Sequence, residues 1–186
     1  MNRKALCLLA LLAVILATVP VAGCRSRTDR TTGAVLLTFG TITGIPAVVS
    51  TKTSITSGFV AIGTFILQSI VKDPTGTTSA LQDIEVSTYQ VVYTRRDSGT
   101  RVPPTLVANL QLAVPVNGSG TINNLPIVRL DQLLNPPLND LAQFGFDQET
   151  KTTVITIDCA ITFFGHTLSG DAIASSPAKF TLEFTP

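Results

Sequence analysis

The sequence TTVITIDCAITFF, residues 152–164, decides the fold of this chain because its apolar residues recur at every second position. A period of two places alternate side chains on opposite faces of a β-strand. The set predicted to face the core is Thr153, Ile155, Ile157, Cys159, Ile161 and Phe163. The other set includes Asp158, which we expect to face solvent. This stretch therefore predicts a long, half-buried strand.

Further segments rich in Thr, Val, Ile and Phe have the composition of strands, because branched and aromatic side chains suit a pleated surface. They are residues 34–39, 47–51, 59–71, 84–95, 105–116 and 178–184. About seven strands separated by turn residues predict an all-β fold, an antiparallel β-sandwich of two sheets. A chain of 186 residues can bury a sizeable core, and its length favours one globular domain.

Residues 127–144 break the strand pattern. Their large apolar residues have helical spacing on both sides of Pro136 and Pro137. This spacing predicts a short helix over residues 128–134 and another turn from Asn139. We interpret the segment as a crossover connection between the sheets, since apolar helical spacing usually means core packing. An exposed docking segment for a partner is the alternative.

The amino-terminal residues have the features of an export signal. Arg3 and Lys4 form a basic start, an apolar run covers residues 5–19, and Pro20 ends it. The chain then reads VAGC, which places small residues directly before Cys24. A basic start followed by an apolar run is typical of a secretory signal. An uncleaved membrane anchor would also fit, because about 18 apolar residues can just span a bilayer.

This combination resembles the lipobox of bacterial lipoproteins over residues 1–24. The resemblance implies that a diacylglycerol is attached to Cys24 and that the signal is cut between Gly23 and Cys24. It predicts a signal peptide over residues 1–23, a lipidated Cys and flexible tether over residues 24–33, and one β-sandwich domain over residues 34–186. Acyl chains would hold the protein on a membrane without a spanning segment.

The residue after the lipidated cysteine bears on localisation. In enteric bacteria a residue other than Asp at this position, here Arg25, implies sorting to the outer membrane. Removal of residues 1–23 also removes Arg3 and Lys4, so the acidic groups of the exported form outnumber the basic ones by one. We therefore predict an envelope protein on the outer membrane, either on its periplasmic or its surface face.

The chemical inventory is small. A net charge of +1 without basic clusters gives no electrostatic basis for binding nucleic acid. His166 is the single histidine, and a zinc site needs three or four ligands. Cys159 is interpreted as a buried structural thiol, although an unlipidated Cys24 could pair with it. We find no catalytic constellation and no cofactor or metal motif, and the sequence favours a protein that is not an enzyme.

The densest group of charges flanks a predicted turn. Arg95, Arg96 and Arg101 lie close to Tyr93 in the sequence, and they are the candidate contact residues for a ligand or partner. Arginine forks bind carboxylates in bidentate geometry, and aromatic rings stack on sugar faces. The alternative is a charged hairpin tip that keeps strand edges from aggregating.

The exported domain resembles uncharacterised bacterial lipoproteins with immunoglobulin-like or fibronectin-like β-sandwiches, chiefly over residues 87–96 and the hairpin at residues 165–170. This resemblance implies an architecture and no binding chemistry. We expect a non-enzymatic, lipid-anchored envelope protein whose sandwich mediates protein contacts or structural support. The alternative is a binding module for a glycan or small ligand. Exposure of Tyr89 or Tyr93 beside Arg95 would favour the binding module, whereas an apolar surface over residues 130–141 would favour protein contacts.

Overall fold

The structure is a computed structural model that describes residues 33–186. Nine strands lie within these residues. In chain order the strands are β1 (Val35–Thr43), β2 (Val48–Ser50), β3 (Phe59–Val71), β4 (Ile84–Arg95), β5 (Leu106–Val114), β6 (Ser119–Arg129), β7 (Ile155–Thr167), β8 (Ala172–Ala174) and β9 (Ala178–Thr185). The predicted all-β class is confirmed. The predicted bounds of β3 and β4 match the structure, and the strand predicted over residues 152–164 begins and ends three residues later.

The strands form two sheets that pack as a sandwich. One sheet has the order β1-β3-β6, and the other has the order β2-β9-β7-β4-β5, with β8 paired to β7. The sequence predicted about seven strands and missed β6 and β8. The pairs are antiparallel except for β2 and β9, which run parallel. The two-sheet sandwich predicted from strand spacing is confirmed.

The core lies between the sheets and is built from alternating strand residues. Along β7 the residues Ile155, Ile157, Cys159, Ile161 and Phe163 are all buried, as the period of two predicts. Thr153, which the pattern also placed in the core, is exposed because it precedes the strand. Aromatic rings join the layers at the centre, where the ring centroids of Phe65 and Phe163 lie 5.0 Å apart.

Three short helices cover one end of the sandwich. They are α1 (Thr51–Ser57), α2 (Leu130–Leu133) and α3 (Leu138–Phe144). Helix α1 begins directly after β2, where the Ser50 hydroxyl accepts a hydrogen bond from the Thr53 backbone N–H as an N-cap. Helices α2 and α3 confirm the helical crossover predicted within residues 127–144. The first three residues of that segment belong to β6.

The opposite end of the sandwich is where the described chain begins. A Cβ atom added to Gly33 would lie 2.8 Å from Ile173 Cδ1 and also close to Asp171 and Thr167. Gly33 is therefore packed against the hairpin after β7, at the end that we call the tether pole. The predicted signal peptide and lipidated Cys24, and the predicted tether except Gly33, lie outside the described residues.

Candidate functional site

The helical end of the sandwich holds its densest polar network and an exposed apolar surface, and we describe both as the candidate site. The undersides of α2 and α3 attach the helices to the core. Leu133, Leu138 and Leu141 are fully buried there. These three leucines anchor a helical cap on the sandwich, since each buried leucine contributes about 2 kcal/mol.

A buried glutamine links α2 to Tyr93 of β4 and to the segment just before β5. The Gln132 side-chain amide donates to the Pro104 carbonyl, and its oxygen accepts from the Arg129 backbone N–H at 2.9 Å. The Tyr93 hydroxyl donates to the Ile127 carbonyl and contacts the Gln132 side chain. These bonds hold the cap in one position, because buried polar groups are costly when left unpaired.

The outward face of the cap exposes three large apolar side chains among polar ones such as Lys52, Asp131 and Gln143. Leu130 and Leu134 lie one helical turn apart, Leu134 is 49% exposed, and Phe144 at the end of α3 is 51% exposed. Beside Leu134 a groove of about 420 Å³ runs between α1 and the other helices. Its lining residues are Lys52, Ile55, Thr56, Leu134, Asn139, Ala142 and Gln143. We call Leu130, Leu134, Phe144 and this groove the cap surface.

An ion-pair cluster lies near the cap, where β4 ends. Arg95 donates to Asp97 at 2.6 and 2.8 Å and to Asp147 at 3.1 Å, and its side chain is 2% exposed. Arg101 lies 3.4 Å from Asp147 and 3.0 Å from Asp140. The guanidinium groups of Arg95 and Arg101, which the sequence suggested for binding a ligand, are thus bound by carboxylates of the described chain.

Asp147 is the centre of this cluster. It accepts hydrogen bonds from the Thr150 hydroxyl and backbone N–H and from the Glu149 backbone N–H, in addition to Arg95. Burial alone would raise the pKa of Asp147, but the hydrogen bonds from Thr150, Glu149 and Arg95 outweigh it and lower this pKa. Asp147 is therefore held as a buried, fully paired carboxylate.

Glu149 closes the outer side of the cluster. Its carboxylate accepts from the Thr100 hydroxyl and from the backbone N–H groups of Thr100 and Arg101. The hydrogen bonds from the Thr100 hydroxyl and from the backbone N–H groups of Arg101 and Thr100 lower the pKa of Glu149 to about 2, with the Arg95 charge adding to the effect. These contacts fix residues 97–101 against the segment before β7.

The structure brings together two of the four residues predicted to contact a ligand and places the other two elsewhere. Arg95 and Arg101 meet in the ion-pair cluster, whereas Arg96 is 66% exposed and lies 3.9 Å from Asp158 at the surface. Tyr93 is 5% exposed, so its ring faces the core and offers no stacking surface. The predicted set did not include Asp147, Glu149 and Gln132, which lie far from these residues in the chain. The spacing of Asp147 and Thr150 is a local signal for the turn that Asp147 forms.

The remaining candidate groups have structural surroundings. Cys159 is buried, and burial raises the pKa of its thiol to about 12, with the charge of Asp158 adding to the shift. His166 lies near the end of β7, within the hairpin predicted at residues 165–170. Its Nε2 is 3.3 Å from Glu85 on the neighbouring strand, at the surface. Within residues 33–186 no group of three or more His, Cys, Asp or Glu side chains is arranged to hold a metal ion.

Comparisons with protein-family models and with curated proteins give no match for this chain. None of the helices in residues 33–186 has the length and apolar character needed to span a membrane.

Proposed function

We propose that this protein is a non-enzymatic, lipid-anchored protein of the bacterial cell envelope, on the outer membrane, whose β-sandwich mediates contacts with other proteins. The observation that carries the proposal is the cap surface, where Leu130 and Leu134 are exposed one helical turn apart beside a groove. Exposed apolar clusters on a soluble domain commonly mark contact sites for proteins. Lys52 is the one charged residue in the groove lining.

The position of the cap surface fits a protein held by its amino-terminal end. Gly33 lies at the tether pole, and β7 alone extends for about 40 Å between the two ends. A chain anchored through acyl groups on Cys24 would join the membrane from the tether pole. The cap surface would then lie at the far end of the domain, where a partner could reach it.

The alternative role as a glycan-binding or small-ligand module has less support. Stacking on a sugar needs an exposed aromatic ring near polar groups. Tyr89 and Tyr93, the aromatic residues close to Arg95 in the sequence, are both buried, and the chain contains no Trp. Phe144 is exposed, but its ring carries no polar group. The arginine forks of Arg95 and Arg101 are occupied by carboxylates. We therefore favour a protein partner.

The anchor and the cap surface can be tested separately. Replacement of Cys24 with Ala should release the protein from membranes and abolish the mass gain from acyl chains. For the cap surface, a photo-reactive amino acid at Gln143 should form a reproducible adduct with one envelope protein in intact cells. Leu134→Glu should abolish this adduct because it places a charge beside Leu130 and the groove.

Leu168 provides a matched control, because it is as exposed as Leu134 but lies at the tether pole. Leu168→Glu should leave the adduct unchanged. An adduct that survives Leu134→Glu, or that is lost equally in both variants, would contradict the proposed contact surface. Continued membrane retention of the Cys24→Ala variant would contradict the anchor alone.

A further inference from the structure

The side of the sandwich where the two sheets separate has an open strand edge. Strands β5 and β6 follow one another in the chain but belong to different sheets and do not pair with each other. Near their connecting turn they touch, and a Cβ added to Gly120 would lie 3.0 Å from Leu112. Farther along, the inward side chains Ala108 and Leu110 are only half-buried, because no strand covers them.

A cavity of about 340 Å³ lies in this opening. Its lining includes Tyr89, residues 108–110 of β5, residues 122–126 of β6, and Arg129. We call this opening the β5/β6 seam. Its walls combine apolar side chains with the amides of Asn109, Asn123 and Asn124. Such a lining suits an extended peptide, whose backbone needs hydrogen bonds and whose alternate side chains need apolar contact.

The two edges of the seam differ in their ability to pair with another strand. On β6, Pro126 has no backbone N–H, and Asn124 adopts a left-handed conformation with φ of 54°. Both features disrupt strand addition. On β5 the sequence is LVANLQLAV, which contains no Pro, Gly or charged residue. Natural edge strands usually carry such protective residues.

The pairing of β5 with β4 shows which part of the edge is regular. Leu106–Asn109 pairs continuously with residues 88–91, and a register shift follows between Val86 and Thr88. The regular part lies beside the cavity. The remaining edges are less suitable: β2 and β8 contain three residues each, and β1 contains Gly40 at its register shift between Phe39 and Ile42.

One charge at the seam has no carboxylate partner in the described chain. The side chain of Arg129 is exposed and lines the cavity. Among residues 33–186, no carboxylate lies within ion-pair distance of Arg129. The other described arginines, Arg95, Arg96 and Arg101, all have carboxylates within 4 Å. A partner with a carboxylate at this position would be complementary in charge.

We propose that β5 binds an extended peptide segment of a protein partner as an added strand along residues 106–110. The peptide backbone pairs with the free edge of β5, an apolar side chain enters the cavity between the sheets, and an acidic side chain pairs with Arg129. Peptide binding at the β5/β6 seam requires neither the acyl anchor nor the cap surface, so it does not depend on the function proposed above.

The test uses full-length protein in detergent micelles and two synthetic probes. Each probe is a heptapeptide of alternating Thr and Val, N-methylated on one edge to prevent self-association, and ends in either Glu or Lys. Hydrogen exchange should slow in residues 106–110 when the Glu probe is added. The Glu probe should bind roughly fivefold more tightly than the Lys probe, as expected for an exposed ion pair.

Two sets of variants make the test specific. Arg129→Glu should reverse the preference between the probes, whereas Arg96→Glu, at another exposed arginine, should not change it. Leu110→Lys places a charge in the seam and should abolish protection, whereas Gln111→Lys on the outer face should retain it. Hydrogen exchange of the β7 amides reports whether each variant is folded. If Leu110→Lys does not fold, the reversed probe preference of Arg129→Glu is sufficient to test the proposal.

Absence of slowed exchange in residues 106–110 at millimolar probe would overturn the proposal. Protection that appears at β1 instead, or a preference unchanged by Arg129→Glu, would also overturn it. If the amides of β5 become protected in the free protein as its concentration rises, a second copy of the chain occupies the edge. That result would replace the peptide partner with self-association.

Discussion

The guanidinium of Arg95 donates to the carboxylate of Asp147 across 3.1 Å, and this ion pair joins the end of β4 to the segment before β7. The side chain of Asp147 is fully buried and that of Arg95 nearly so. Arg95 also donates to Asp97, and Asp147 also accepts from the Thr150 hydroxyl. A buried charge requires this degree of pairing because its desolvation is costly.

Removal of one charge from this cluster should strongly destabilise the domain. Asp147→Asn leaves Arg95 buried with one less carboxylate, and we expect a loss of about 3 kcal/mol in the free energy of unfolding. Chemical denaturation followed by circular dichroism measures the change. Asp158→Asn is the matched control, since the pair of Asp158 with Arg96 is exposed and should contribute less than about 1 kcal/mol. Equal losses in the two variants would contradict a dominant role for the buried pair.

The cluster should also make stability depend on pH in the acid range. The pKa values of Asp97, Asp147 and Glu149 are all lowered in the folded protein, that of Glu149 to about 2. A group with a depressed folded pKa stabilises the fold above its unfolded pKa, and this contribution is lost as the pH falls through the folded value. The free energy of unfolding should therefore decrease from about pH 4.5 to pH 2.

Glu149→Gln should flatten this pH dependence, because the variant has no carboxyl group to protonate at this position. Equilibrium unfolding measured at intervals between pH 5 and pH 2 provides the comparison with the unmodified protein. A curve for Glu149→Gln with the same slope as that of the parent would show that other groups control acid sensitivity.

Local periodicity was sufficient to predict most of the fold. The alternation in residues 152–164 identified the buried face of β7, and branched residues marked β3 and β4. Strand β6 was missed because its Gly, Asn and Pro residues hide the alternation. An edge strand tolerates Pro126, since its missing N–H would face away from the neighbouring strand. The short β8 has too few residues for a periodic signal.

The candidate site was less predictable because it depends on contacts between distant parts of the chain. The arginines near Tyr93 were visible in the sequence, but their partner Asp147 lies about 50 residues away. Period-two alternation could indicate that Tyr93 is buried, yet nothing local indicates that its hydroxyl meets Gln132. The exposure of Leu134 also depends on how α2 packs, because helical spacing alone is compatible with a buried or an exposed face.

Cys159 should be unreactive in the folded protein. Its pKa of about 12 reduces the thiolate fraction by about three orders of magnitude relative to an ordinary thiol, and its burial limits access of the reagent. In a Cys7→Ser, Cys24→Ser variant, Cys159 should react with a disulfide reagent only after denaturant unfolds the domain. Absorbance of the released thiolate measures the rate. Rapid reaction without denaturant would show that β7 opens locally or that Cys159 is accessible.

The Tyr93 hydroxyl should contribute more to stability than the Tyr89 hydroxyl, although both donate to carbonyls of β6. Tyr93 donates to the Ile127 carbonyl in a buried network with Gln132, whereas Tyr89 donates to the Pro126 carbonyl at the partly buried seam. Removal of a buried hydroxyl leaves its partners unpaired, so Tyr93→Phe should lower the free energy of unfolding by about 2 kcal/mol. Water can replace the hydroxyl at the seam, and Tyr89→Phe should lower the free energy of unfolding by about 0.5 kcal/mol.

Hydrogen exchange distinguishes the two changes further, because Tyr93→Phe should accelerate exchange in α2 and Tyr89→Phe should not. Equal losses of stability with unchanged exchange in α2 would show that Tyr93 does not hold the cap on the sandwich.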